Sequence, residues 1–205
     1  MTPLFVTFEG LDGSGKSTQL ELAARRLEAG GVSLAVTHEP GGTAFGRRIR
    51  ELFLDHSAPP DPIIEALLLF ASRRQNLLEV IEPALAAGRH VLCDRFTDST
   101  LAYQGAGRGL DARTLLSLAQ IAVGGRMPDL TLWFDVDPAI AARRRGDGGD
   151  RLDRETLAFR ERVRRGYREL ARRDPQRIVR VDADLPLEDV TAAVAGTLTE
   201  RGIHP

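Results

Sequence analysis

Cysteine is nearly missing from these 205 residues, where Cys93 stands alone. One thiol cannot build a disulfide framework or a multi-cysteine metal site. Its apolar run, Val91-Leu92-Cys93, marks a small buried residue in a reducing compartment. No apolar stretch nears the ~18 residues that a membrane helix needs, and the N-terminus enters an apolar strand without a secretory profile. A cytoplasmic protein with no membrane partner is expected. Charge of one sign is not in excess, with 28 Lys and Arg against 29 Asp and Glu. Aromatics are only 5%, and no aromatic platform accompanies the basic stretches, so polymeric nucleic acid is not an expected partner. Lysine is the scarcest cation: among the 28 basic residues only Lys16 is lysine. Whatever Lys16 does calls for an ammonium.

What remains is 42% hydrophobic and 28% charged, the composition and length of one soluble domain spanning residues 1–205. Short apolar runs alternate with helical patterns, which signals a parallel sheet wrapped by helices. Strands are expected at Leu4–Phe8, Ser33–Thr37, His90–Asp94, Leu130–Val136 and Ile178–Val181. Helices are expected at Lys16–Ala29, Thr43–Leu54, Ile63–Ala86, Ala112–Val123, Pro138–Arg145, Arg154–Arg172 and Leu187–Arg201. Asp153 is placed to cap the helix from Arg154, whose arginine-rich face is expected in solvent.

Gly10-Leu11-Asp12-Gly13-Ser14-Gly15-Lys16-Ser17-Thr18 sets two glycines five apart before Lys-Ser, the pattern of a phosphate-cradling loop. Backbone N–H groups of such a loop converge on phosphate oxygens, and the following helix points its positive end there. Lys16 would reach the β- and γ-phosphates, and the Ser17 hydroxyl would ligate Mg²⁺. An ordinary glycine turn is the bland alternative. In a doubly wound sheet, ligands bind beyond the carboxyl ends of the strands. The segments there are Glu9-Gly10 with this loop, His38-Glu39-Pro40-Gly41-Gly42, Asp94-Arg95 and Asp135-Val136-Asp137.

Asp94, ending an apolar strand, suits a carboxylate that orients Mg²⁺ or its waters, and Arg95 would bring a fixed charge beside it. A strand-end salt bridge is the alternative. The phosphate loop has no arginine of its own, and transferring a phosphoryl group profits from one. The best source is the glycine-hinged segment from Arg143 to Arg151, a lid of about residues 143–154; a solvated basic loop is the other reading. Arg50, Arg74 and Arg95 suggest a second anion site, with Arg47, Arg48 and Arg73 turned to solvent. Phe70 and Arg74, four apart, share one helix face and could stack and bond a base, unless Phe70 is simply core.

Phe8 through Thr18, Glu39-Pro-Gly-Gly-Thr43, Phe70 through Arg74, Asp94-Arg95, Tyr103-Gln-Gly105 and Val181-Asp-Ala183 run in order along the chain. Together they make it similar to the thymidylate kinases, in their bacterial branch. The resemblance implies a P-loop NTPase fold with a five-stranded parallel sheet and a lid. It implies transfer of the γ-phosphoryl of ATP to dTMP with Mg²⁺, by a phosphotransferase on the route to dTTP, and a homodimer. Carried over by position, residues 10–18 bind ATP, and Asp12 meets the sugar 3′-hydroxyl. Glu39, Arg50 and Arg95 serve the acceptor, whose phosphate falls to the two arginines. Phe70 stacks on thymine, Arg74 bonds its exocyclic oxygen and Thr100 addresses the ring N–H. Ser99, Tyr103 and Gln104 line the sugar and base pocket. Arg143 and Arg144 pack on adenine, Arg151 reaches the transferred group, and Ser17 and Asp94 hold the metal. Lys16, Asp12, Arg95 and Arg151 form the catalytic set. One departure is His38, where the bacterial pattern carries arginine. The rival readings are a kinase for another nucleoside monophosphate or a deoxynucleoside, and a nucleotide-dependent switch.

Overall fold

The computed structural model describes residues 2–55, 57, 60–145 and 155–205. Strands β1 (Phe5–Gly10), β2 (Leu34–His38), β3 (His90–Asp94), β4 (Leu130–Asp135) and β5 (Ile178–Asp182) pair in the order β2-β3-β1-β4-β5. Every pairing is parallel. All six residues of β1 and of β4 are buried, as strands covered by helices on both faces must be. Alternate side chains of the sheet serve two clusters. Phe5, Val91 and Cys93 join Phe70, Leu77 and Leu115, whereas Val6, Phe8 and Leu92 join Leu20, Leu27 and Val194. Cys93 is fully buried, and that burial pushes its thiol pKa well up, so it packs as an inert residue.

The connecting helices are α1 (Lys16–Ala29), α2 (Ala44–Leu54), α3 (Pro62–Asn76), α4 (Glu82–Ala86), α5 (Thr97–Thr100), α6 (Ala112–Val123), α7 (Pro138–Arg145), α8 (Leu157–Arg173) and α9 (Leu187–Glu200). No helix among the described residues is long and apolar enough to cross a membrane. Boundaries follow the sequence pattern within a few residues, with instructive exceptions. The expected helix over Ile63–Ala86 is interrupted by a π segment at Leu77–Ile81, where Glu82 N bonds Leu77 O. Pro83 follows directly, and its missing N–H and ring clash favour a widened turn ahead of it. A second π segment, Leu101–Gly107, extends α5; that helix was not expected, because its buried residues are mostly polar and show no apolar period.

Helix α8 begins at Leu157, not Arg154, and Thr156 caps it by accepting a hydrogen bond from Phe159 N; Asp153 lies outside the described residues. Its arginines do not all face solvent. Arg160 is buried, and Arg164 Nε pairs with Asp135 Oδ1 at 2.5 Å. A buried carboxylate at the end of β4 draws that guanidinium inward, since an unpaired charge there would be costly.

Candidate active site

The carboxyl ends of β1, β2 and β3 open on one cleft of about 560 Å³, lined by the phosphate loop, His38–Pro40, Asp94-Arg95, Ser99, Thr100, Tyr103 and Gln104. Its first wall is a matter of backbone. Gly13 and Gly15 take positive φ of 87° and 85°, and a Cβ on Gly13 would lie 2.2 Å from Ala141 O. Only glycine lets the loop pass that close to α7. Lys16 opens α1 and is buried, its Nζ 3.6 Å from Asp12 Oδ1 and 3.8 Å from Asp94 Oδ1. Ser17 Oγ donates to Asp94 Oδ2 at 2.5 Å, while Asp94 Oδ1 is buried without a hydrogen-bond partner. A serine oxygen beside a carboxylate with a spare acceptor is the oxygen donor set that Mg²⁺ prefers.

Arg95 forms the hub of the next wall. Its Nη2 donates to Asp12 Oδ1 at 2.7 Å, its Nη1 to Ser99 Oγ at 3.0 Å, and its guanidinium stacks 4.9 Å from the Tyr103 ring centre. Burial alone would raise the Asp12 carboxyl, but Arg95 and then Lys16 outweigh it and hold the group well below the usual carboxylate range. Asp12 therefore stays ionised whenever the protein is folded near neutrality.

The far wall is a buried ion pair. Arg73 Nε donates to Glu39 Oε2 at 2.7 Å, Nη1 to Thr100 Oγ1 at 3.0 Å and Nη2 to Phe96 O at 2.9 Å. Asn76 Nδ2 completes Glu39 at 3.0 Å. The peptide bond Glu39-Pro40 is cis, and Arg50 Nη1 donates to Pro40 O at 3.2 Å. His38 lies against Arg50 and Arg47, and partial burial followed by these charges lowers its pKa; it is neutral at pH 7. At the pocket floor, Gln104 Nε2 donates to buried Glu65 at 2.8 Å.

Most of the expected residues come together here: Asp12, Lys16, Ser17, Glu39, Arg50, Asp94, Arg95, Ser99, Thr100, Tyr103 and Gln104 all line the cleft. Phe70 and Arg74 do not. Phe70 packs in the core with Leu77 and Ile81, and Arg74 is exposed with Nη1 bonded to Ala122 O at 3.2 Å. The cleft-facing pair is one residue earlier, Leu69 and Arg73, and Arg73 is 1% exposed. A one-residue step turns a helix by about 100°, and buried Glu39 decides which arginine comes inward. Arg144 bonds Ala183 O at 3.0 Å beside the loop, and Arg143 is exposed. Arg145, not singled out in the sequence, lines the cleft. Arg151 and most of the expected lid lie outside the described residues. The sequence placed Glu9 at the cleft but gave it no role, and it is fully buried; a carboxylate between an apolar strand and a glycine loop was the available signal.

The family model for thymidylate kinase matches residues 8–194. A thymidylate kinase of Thermomicrobium roseum is 53% identical over 199 residues, covering 96% of this chain and 94% of its own. One from Deinococcus radiodurans is 46% identical, covering 97% and 98%. A third, from Synechococcus sp. strain JA-3-3Ab, is 50% identical, covering 97% and 96%. With the phosphate loop, the Asp94-Arg95 pair and the sheet order already in place, these likenesses settle the family: the chain belongs to the thymidylate kinases.

Proposed function

We propose that this protein transfers the γ-phosphoryl group of ATP to dTMP, giving dTDP and ADP, as one kinase domain over residues 1–205. The observation that carries the reading is a single cleft with a phosphate loop at one end and the Arg95, Arg73–Glu39 and Thr100 cluster at the other. An acceptor phosphate needs no strong base, because its second pKa of ~6 leaves it largely dianionic at pH 7. The obstacle is repulsion between two anions, so positioning and fixed positive charge are what the site must supply.

Lys16 and the loop N–H groups hold the ATP phosphates, and Arg95 with Arg50 holds the phosphate of dTMP. Neutral His38 adds no cation. Asp12, kept ionised, orients both Lys16 and Arg95 and accepts from the sugar hydroxyl. Thr100, Gln104, Arg73 and Leu69 form the base pocket, with Ser99 and Tyr103 beside the sugar. Ser17 and the spare oxygen of Asp94 would hold Mg²⁺, which when bound neutralises charge on the transferring phosphates. Arg143 and Arg144 serve the adenine side, and Arg151 the transferred group. Exposed Ile64, Leu67, Leu116 and Ile121 on α3 and α6 support a homodimer through that face, which sedimentation would reveal. The cytoplasm suits both the reaction and the lone buried thiol.

The test is ADP release with dTMP, dUMP, dCMP, dGMP, AMP and thymidine as acceptors. The expected result is turnover that depends on added monophosphate and prefers dTMP. Equal rates across acceptors would remove the substrate assignment, and preference for thymidine would move the chain to nucleoside phosphorylation.

A further inference from the structure

Glu9 ends the apolar run of β1 one residue before the phosphate loop, with 0% exposure. Four donors converge on it. Oε1 accepts from Phe96 N at 2.7 Å and Ser99 N at 3.3 Å; Oε2 accepts from Ser99 Oγ at 2.5 Å and Tyr167 Oη at 2.8 Å. The two backbone donors lie just past Arg95, which has φ of 72° and is the one non-glycine residue with positive φ among those described.

A left-handed backbone costs a residue with a side chain roughly 1–2 kcal/mol, so it persists only where its surroundings fix it. Here β1 fixes both sides of the turn. Phe8 O accepts Arg95 N at 3.0 Å, and Glu9 takes the next N–H through its side chain. Ser99 Oγ lies between the Glu9 carboxylate and Arg95 Nη1, so the same carboxylate also steadies the guanidinium.

We propose that Glu9 is a positioning residue that locks the Arg95 turn and thereby sets the affinity of the site for the phosphate of its acceptor, not for the nucleoside. This rests on the reading that Arg95 holds the acceptor phosphate. Burial and neighbouring Asp98 oppose the charge on Glu9, while Arg95, Ser99 and Phe96 N support it. A carboxylate kept there against that cost is explained by the turn it organises.

Calorimetric titration with dTMP and with thymidine, which lacks the phosphate, tests this on the wild type, Glu9→Ala, Glu9→Gln, Arg95→Ala and the Glu9→Ala/Arg95→Ala pair. Glu9→Ala is expected to weaken dTMP about 10–100-fold, the cost of leaving the Phe96 and Ser99 N–H groups buried without a partner, and to leave thymidine unchanged. Glu9→Gln should restore most of the loss, because its amide oxygen can still accept from Phe96 N and Ser99 N. The pair should bind dTMP no more weakly than Arg95→Ala. If Glu9→Ala does not fold, Glu9→Asp, one methylene shorter, carries the same expectation. Equal weakening of both ligands would reduce Glu9 to a structural residue and overturn the proposal. Loss of phosphate preference in Arg95→Ala alone would also overturn it while leaving the site reading intact. Unchanged preference in Arg95→Ala would instead break the site reading itself.

Discussion

The two ends of the cleft are built in different ways. The phosphate-loop end is a continuous stretch, Gly10–Thr18, whose conformation follows from its own glycines and from the start of α1. The opposite end is assembled from β1, β2, α3, β3 and α5, with side chains bonded across 34 residues between Arg73 and Glu39 and 90 between Ser99 and Glu9. A local device depends on few partners, so changing its charge should strike chemistry and spare the fold. A distributed device doubles as core, and there function and stability should fail together.

Lys16→Ala gives the largest expected effect and the cleanest check of that contrast. Turnover should fall at least about 10²–10³-fold, the scale for removing one group that stabilises developing charge. dTMP affinity, read by calorimetry, should hold. Collapse of the thermal midpoint along with turnover would show that the loop end is as structural as the other.

The acceptor end is sharpened by two adjacent arginines. Arg73→Met removes the partner of buried Glu39 and should cost about 3–5 kcal/mol of stability, with weakened dTMP binding. Arg74→Met removes one partly buried hydrogen bond to Ala122 O and should leave the KM for dTMP unchanged. Restoring a neutral pair with Glu39→Gln in the Arg73→Met background should recover part of the stability. A KM that rises in Arg74→Met but not in Arg73→Met would reverse the reading of α3.

Those two residues also mark how far the chain could be read without coordinates. The strands, most helices and the phosphate loop were legible because each is written locally, in apolar runs, glycines and helix periods. Phe70 and Arg74 were a legitimate pair by spacing, yet spacing fixes a shared face and not its direction. The direction comes from Glu39, on a different segment, and from core neighbours Leu77 and Ile81. Helix α5 was missed for a related reason. Its buried Asp98 is bonded by Arg177 Nη1 at 2.6 Å, and Thr100 by Arg73, so polar residues occupy positions where a pattern reader looks for apolar ones. Glu9 could be placed at the cleft but not given a role, because its donors come from residues 96, 99 and 167.

The smallest expected effect separates the two carboxylates nearest the junction of the ends, Asp12 and Glu9. Burial, then the charge of Asp98, pushes the Glu9 pKa from 4.5 to about 7, with Arg95, Ser99 and Phe96 N pulling the other way. A pKa raised on folding favours the folded state fully below pH 4.5, and that contribution is lost as pH climbs toward 7. Asp12 is lowered from 3.8, so its contribution is present above that value and vanishes only in stronger acid. The two windows do not overlap. Between pH 5 and 7 the wild type should therefore lose stability relative to Glu9→Gln, by at most about 1.4 kcal/mol per pH unit, in urea unfolding followed at several pH values. Parallel curves for the two proteins would mean that Glu9 carries the same charge folded and unfolded. The four donors, not burial, would then dominate its site.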